Sequence, residues 1–463
     1  MKKLSKSSLP AVFAALLLCL SCFSNPGIAS AATVLKIGIA AGISSGTLSG
    51  SSVRGTDASG ADCSFSGGVT LSAAGDRVLI GGRTALLPVR FVSASPISYG
   101  RTAYEGDLLL IRASSGFTLI NEIELEEYLR GILKVEANPA WPQESLKAQA
   151  ILARTFALQN RGKHRSQGFD LCDDSHCQVY RGVNGYDPRT DAAVAATRGM
   201  ILSYGGGPAH VFFHADSGGA TTDASSVWGG REPYLVSVRE PIAVASPYST
   251  WTAVLTPDQV ERAMAKIPVR LGTVRSISVE ERDSSGRAKA LRVVGDSGSA
   301  RISGNAFRMA LGSSLVKSTL FEIGGGSVVE SPPPAASPAP ARPLPTGGDP
   351  LIRMTREGAF SDAELMDMLL HPEKRDQYVK IGQGRPAGSS VSAPAPLSAS
   401  SVPSTGRPSP ARHSASGFVL RGRGWGHGVG LSQWGSKALA EQGWTAERIL
   451  GLYYPGTRLT VIP

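Results

Sequence analysis

Long apolar stretches are scarce in this chain of 463 residues, and so are cysteine and histidine. One short apolar run, Ala11 to Leu20, stands near the N-terminus, too short to span a bilayer comfortably, and no later segment reads as transmembrane. Dense Lys/Arg runs with interleaved aromatics are also missing, which removes the usual footprint of nucleic-acid binding. The glycine-rich stretch at Gly422–Gly430 has no following Gly-Lys-Ser/Thr, so it is not a P-loop, and no βαβ unit follows it to make a dinucleotide turn. Ser217 lies outside any Gly-x-Ser-x-Gly elbow, which sets aside a serine hydrolase. With only five Cys and seven His in the chain, a place where they gather asks for an explanation.

A hydrophobic fraction of 42% is that of a globular protein, while 54 Gly and 30 Pro announce many loops and linkers. Lys2, Lys3 and Lys6, then Ala11 to Leu20, then Ala29-Ser30-Ala31 follow the order of a secretory signal peptide cleaved near Ala31. Cys19 and Cys22 raise lipidation as the alternative, but the residues before them fit a lipidation site poorly. The expected product is extracytoplasmic, with no membrane span after cleavage. Losing three lysines lowers the formal net charge from +10 to +7, which suits an anionic polymer such as cell wall, or ordinary solubility.

The pattern predicts an α+β protein in five stretches: a signal peptide (1–31), a β-rich region (32–120), a mixed helix/strand core (121–325), a Pro/Ser-rich linker (326–416) and a C-terminal segment (417–463) that packs back on the core. Val34 to Ala40, Arg77 to Ile80 and Leu108 to Ile111 are short apolar runs between Gly/Ser/Asp turns. Met200 to Tyr204 and His210 to His214 suggest a hairpin across Gly205–Pro208, and Ile277 to Val279 and Leu291 to Val294 suggest further strands. Inside the linker, Ser361 and Glu364 form a capping box before Leu365 to Leu370, with Pro372 after it, predicting a short helical island.

Between 121 and 160 the period changes. Leu125, Tyr128, Leu129, Ile132 and Glu136 fall on one helical face. Asn138-Pro139 and Trp141-Pro142 then break the chain, and Pro142 can open a second helix whose Leu146, Gln149, Ala150, Ala153 and Ala157 share a compact side. Glu136 therefore projects from the face the helix buries. Lost hydration raises a carboxyl pKa toward working pH, as a general acid requires. Trp141 offers a ring on which a sugar face could stack. The structural alternative is an ion pair to Lys134, Lys147 or Arg154. Glu144, in the first turn of the second helix, more simply complements the helix dipole.

His164, Cys172, His176 and Cys177 gather within fourteen residues. Two thiolates and two imidazoles suit a tetrahedral structural zinc with no open position for catalysis, although the spacing is not a common finger pattern. A Cys172–Cys177 disulfide and free thiols remain open, with Cys63 left over in every case. In Gly422–Gly430 glycine recurs at every second position. As an extended strand it would put Arg423, Trp425, His427 and Val429 on one face, the glycines giving room for packing and Trp425 and His427 facing a cleft.

Leu125–Gly131, Glu136 and Trp141–Ala157 together resemble the stage II sporulation protein D family (SpoIID/LytB). The likeness continues through His176–Gly182, Ser217–Gly219, Val227–Gly230 and Pro233–Leu235, and resumes at Gly422–Gly430, Ser432–Gly435 and Tyr453–Gly456. The resemblance implies a lytic transglycosylase, a carbon–oxygen lyase acting on peptidoglycan glycan strands stripped of stem peptides, with Glu136 as the single acid/base. It also implies that Gln178, Tyr180, His214 and Ser217 help line the substrate groove, and that some relatives hold zinc at the residues matching the Cys/His cluster. The competing expectation is a non-catalytic wall-binding protein that enhances a cell-wall amidase. The linker of about ninety residues departs from the more compact family pattern.

Overall fold

The computed structural model describes residues 33–265, 270–325 and 417–462. The signal segment, the linker and its helical island lie outside the described residues.

Turn-punctuated alternation in the first ninety of these residues gives ten strands: β1 (Val34–Ile43), β2 (Ser45–Thr56), β3 (Phe65–Ala74), β4 (Arg77–Ile80), β5 (Arg83–Leu86), β6 (Val89–Val92), β7 (Ile97–Tyr99), β8 (Thr102–Tyr104), β9 (Asp107–Arg112) and β10 (Phe117–Glu124). With β11 (Leu171–Cys172) they form one sheet in the order β11-β1-β10-β9-β6-β2-β3-β4-β5, with β7 and β8 paired off that path. β11 runs parallel to β1, with Ile37 opposite Leu171 and Gly38 opposite Cys172. A side chain at Gly38 would strike the Phe169 ring at 2.7 Å, so glycine is what lets this edge close.

Among the described residues the helices are α1 (Leu125–Glu136), α2 (Gln143–Gln159), α3 (Pro188–Ala196), α4 (Ala224–Trp228), α5 (Pro257–Met264), α6 (Gly304–Leu311), α7 (Gln433–Glu441) and α8 (Ala446–Tyr453). α1 follows β10 directly. Glu124 caps it by accepting from the Glu127 N–H, and it ends at Ala137, whose backbone is extended, just before Asn138-Pro139. A residue preceding proline avoids helical geometry, so the stop is written in the sequence. Pro142 sits one position earlier than expected, as the N-cap of α2, with its carbonyl taking the first helical amides.

α2 has apolar residues on more than one side because it is shared between two cores. Leu146, Ala150, Ala153 and Ala157 pack with α1 and the sheet, while Ala148, Ile151 and Leu152 pack with Val429, Leu431, Leu439, Ile449 and Tyr453 of the C-terminal segment. Each fully buried Leu or Ile contributes roughly 1.5–3 kcal/mol, so the segment after the linker is held by an apolar seam. A third cluster joins residues 251–323 to Leu420, and Phe418–Gly422 forms the middle strand between Trp251–Leu255 and Phe321–Gly325.

The expected hairpin is corrected in its second arm. Met200–Tyr204 pairs with Gly207–Pro208 and, on its other side, with Arg458–Val461. Phe213–His214 pairs instead in parallel with Leu431–Ser432. Past Pro208 the pairing continues only through the Ala209 N–H to the Leu202 carbonyl (2.9 Å), after which the C-terminal segment supplies a new partner. The glycine-rich run is also corrected. Only its first residue, Gly422, belongs to a strand, and Gly424, Gly426, Gly428 and Gly430 all have positive φ (75°, 123°, 86°, 70°). Their alternation makes a tightly coiled path rather than a flat strand.

Candidate active site and metal-ligand cluster

Glu136 ends α1 at the corner between the two long helices. Burial raises its carboxyl pKa, and a hydrogen bond from the Val179 amide only partly offsets this. None of the three cations that could have paired with it does so. Lys134 Nζ donates to the Tyr186 carbonyl (3.4 Å), Lys147 Nζ to Glu144 (2.7 Å), and Arg154 forks onto Glu126. The neighbouring carboxylates are likewise spent. Glu126 holds Arg154, Glu127 holds Arg130, and Glu144 holds Lys147 and the Ala446 N–H at 2.8 Å. Glu136 is thus a partly desolvated carboxyl, its pKa raised, without an ion-pair partner among the described residues.

The corner is walled by the C-terminal segment. Gln433 donates through Nε2 to the Glu136 carbonyl (2.9 Å), and Ser436 Oγ donates to Ser145 Oγ (3.1 Å). Trp434 meets Trp141 edge to face with ring centroids 5.4 Å apart, and Arg189 steadies Trp141 by donating to its carbonyl. Both indoles are half-buried, leaving apolar ring surface at this corner. Gln433 and Trp434 were not singled out from the sequence. The only signal was the Ser432–Gly435 motif, and nothing in its spacing joins it to a residue almost three hundred positions earlier.

The other expected groove residues separate into two sets. Gln178 and Tyr180 are buried supports: Tyr128 Oη donates to Gln178 Oε1 (3.2 Å), and Tyr180 Oη donates to Asn121 (2.8 Å) while its ring lies against Gly131. Ser217 is also buried, its amide donating to Ser432 Oγ and its Oγ accepting from the Gly219 N–H. His214 is buried beside His427, with ring centroids 5.5 Å apart. Desolvation of its half-buried ring, with Arg308 and Arg287 nearby, pushes the His427 pKa down to about 3, and burial holds His214 well below its ordinary range. Both imidazoles are therefore neutral at neutral pH. Trp425 and His427 reach the surface of the coil in part, His427 against Trp228 (4.9 Å) and Trp425 against Tyr248 (4.5 Å).

His164, Cys172, His176 and Cys177 converge, with one donor atom from each lying within 4.8 Å of every other. Cys172 comes from the sheet edge, His164 from the turn after α2, and the adjacent His176 and Cys177 from a loop. The thiols of Cys172 and Cys177 are free rather than joined. Gln167 Oε1 lies 2.7 Å from His164 Nδ1, which fixes that nitrogen as the donor and turns the Nε2 lone pair toward Cys177 Sγ, 3.4 Å away. His176 Nδ1 lies 3.4 Å from Cys172 Sγ and 3.8 Å from Cys177 Sγ. Such a set can hold a metal ion with all four positions filled by protein.

The family model described as stage II sporulation protein, SpoIID, matches residues 113–204, which include Glu136, Trp141 and the whole Cys/His cluster. An uncharacterized protein of Brachyspira hyodysenteriae is 32% identical over 221 residues, covering 48% of this chain and 59% of that one. The amidase enhancer of Bacillus subtilis is 26% identical over 346 residues (72% and 40%), and its stage II sporulation protein D is 32% identical over 161 residues (31% and 47%). The chain thus spans less than two thirds of the length of each of these relatives.

Proposed function

From a chain that belongs to the stage II sporulation protein D family through residues 113–204, we propose a peptidoglycan lytic transglycosylase that cleaves between MurNAc and GlcNAc with Glu136 as its only acid/base. The observation that carries this reading is a half-buried Glu136 whose carboxyl pKa is raised by desolvation and which has no cation partner among the described residues, at the corner held by the Gln433 contact next to the Trp141–Trp434 pair. A protonated Glu136 gives its proton to the glycosidic oxygen as the C1–O bond breaks. The resulting carboxylate then takes the proton of the muramic C6 hydroxyl while O6 bonds to C1. The products are a 1,6-anhydromuramyl end and a free GlcNAc hydroxyl, with no water consumed. One carboxyl suffices because the substrate supplies the nucleophile, whereas a hydrolase needs two.

The site acts outside the cytoplasm in this reading, on wall glycan. The Cys/His cluster holds zinc: N···S edges of about 3.5 Å are expected from ligand distances of about 2.0–2.3 Å, two of the N···S distances are 3.4 Å and a third 3.8 Å, and the four donors, within 4.8 Å of one another, draw in slightly around the ion. Its role is to tie the loop at His176–Cys177 to the sheet edge. The chemistry belongs to Glu136.

Glu136→Gln keeps the shape and removes the proton. Incubated with peptide-free glycan strands, it releases no anhydromuramyl products by mass spectrometry, while its circular dichroism matches the wild type. Because burial raises the Glu136 pKa, the acid form persists to higher pH than for a free glutamate, and activity falls as pH climbs through that raised value. Undiminished product release by Glu136→Gln refutes the assignment. The likeness to an amidase enhancer supports one other reading, in which the protein binds glycan and stimulates an amidase. Wild-type protein that binds the strands without forming anhydro ends would favour it.

A further inference from the structure

Trp425 is held by more than its own packing. The amides of the glycines on either side each reach a different flank: Gly424 N–H donates to the Tyr248 carbonyl (2.8 Å) and Gly426 N–H to the Lys317 carbonyl (2.9 Å). The Trp425 amide itself donates to Asp216 (2.8 Å). These bonds gather Tyr248, Trp425 and Lys317 from three distant stretches into one half-exposed group. Tyr248 meets the indole edge on at 4.5 Å, and Lys317 Nζ stands 4.9 Å over its ring.

The ammonium of Lys317 is incompletely used. It donates to the Ser314 carbonyl (3.1 Å), leaving two of its three N–H groups, and it makes no ion pair among the described residues. The nearby carboxylate, Asp216, is buried and taken by the Gly218 amide and Ser246 Oγ. A cation over the face of a half-exposed indole, with no acid of its own among the described residues, is a place for a ligand that brings both a flat apolar face and a negative charge.

The position fits a second station on the same strand of glycan. Residues 215 and 216 tie the two places together: the Ala215 carbonyl accepts from the Trp434 amide (3.0 Å), and Asp216, next to it, exchanges backbone hydrogen bonds with Trp425.

We propose that Trp425, Tyr248 and Lys317 form a subsite for a sugar ring bearing a free carboxylate, the lactyl group of a muramic residue whose stem peptide has been removed. The proposal rests on the glycan-cleaving reading above and deepens it, because an amide-linked stem peptide would cancel the charge that Lys317 meets. Selectivity for stripped strands then resides partly at a site distinct from the reacting bond.

The test uses the full chain carrying Glu136→Gln, so that binding is read without cleavage. Two probes are titrated: peptide-free glycan strands, and the same strands with their lactyl carboxylates converted to methyl amides. The free acid binds about threefold to fivefold more tightly, as befits one charge-assisted contact near the surface. Adding Lys317→Gln abolishes that preference, and Lys317→Arg keeps it. If Lys317 serves only to cap the indole, Lys317→Gln lowers thermal stability and leaves the preference intact, which overturns the proposal. Equal binding of both probes by Glu136→Gln overturns it while sparing the glycan reading. Failure to bind either probe overturns both.

Discussion

Arg154→Met tests what frees Glu136. Arg154 is fully buried and forks onto Glu126 with Nε–Oε1 at 2.8 Å and Nη2–Oε2 at 2.6 Å, and its Nη1 donates to the Met200 carbonyl at 2.9 Å. Glu126 has one further donor, the Gly199 amide at 3.1 Å. Methionine fills most of the volume but leaves a buried carboxylate with that single hydrogen bond. Removing one partner of a buried pair costs about 3–5 kcal/mol. At about 2–4 °C per kcal/mol for a domain of 150–250 residues, the melting temperature falls by roughly 6–20 °C. The loss arises largely from the stranded charge, so adding Glu126→Gln recovers part of it. The assay is chemical denaturation of the two single variants and the double variant, followed by circular dichroism and completed as a cycle. Arg154→Met costing less than about 1 kcal/mol, or a double variant no more stable than Arg154→Met, refutes the account. Since the pair joins α1 to α2, anhydro-product release should fall with stability in Arg154→Met and return in part with it.

The Cys/His cluster predicts one zinc per chain in protein purified without a His-tag or chelator, measured by elemental analysis. Cys177→Ser loses the metal, and chelation lowers the thermal midpoint of the wild type by removing a ligand of the folded state. Absence of metal together with absence of a free thiol at Cys172 would favour a disulfide. Gly424→Ala places a Cβ 2.6 Å from the Asp216 carbonyl at a residue with φ of 75°. Left-handed backbone costs roughly 1–2 kcal/mol and the clash roughly 1–3 more, readable as a loss of about 2–5 kcal/mol in urea. A loss under half that would show that the coil relaxes freely.

Local order settled much of this molecule in advance. The 3-1-3-4 spacing from Leu125 to Glu136 specified a helix and its buried face, and Asn138-Pro139 specified where it stops, because helical periodicity and the proline ring act within a few residues. The density of His and Cys between 164 and 177 likewise marked a cluster, since a turn, a short edge strand and a loop within fourteen residues can bring such side chains together. Whether Glu136 pairs with a cation was beyond such reading. Lys134, Lys147 and Arg154 were all within reach by spacing, and only packing sent them to Tyr186, Glu144 and Glu126. The glycine run shows the same limit. Alternation is compatible with an extended strand, but glycine also admits positive φ, and the contacts of Gly424 with Asp216 and of Gly426 with His214 are what select the coil. Gln433 and Trp434 reach Glu136 only because the apolar seam along α2 draws residues 429–454 onto the core. The sequence by itself determined the corner, its carboxylate and the cluster of ligands. The tertiary structure decided which groups surround them, because that choice depends on contacts between residues far apart in the chain.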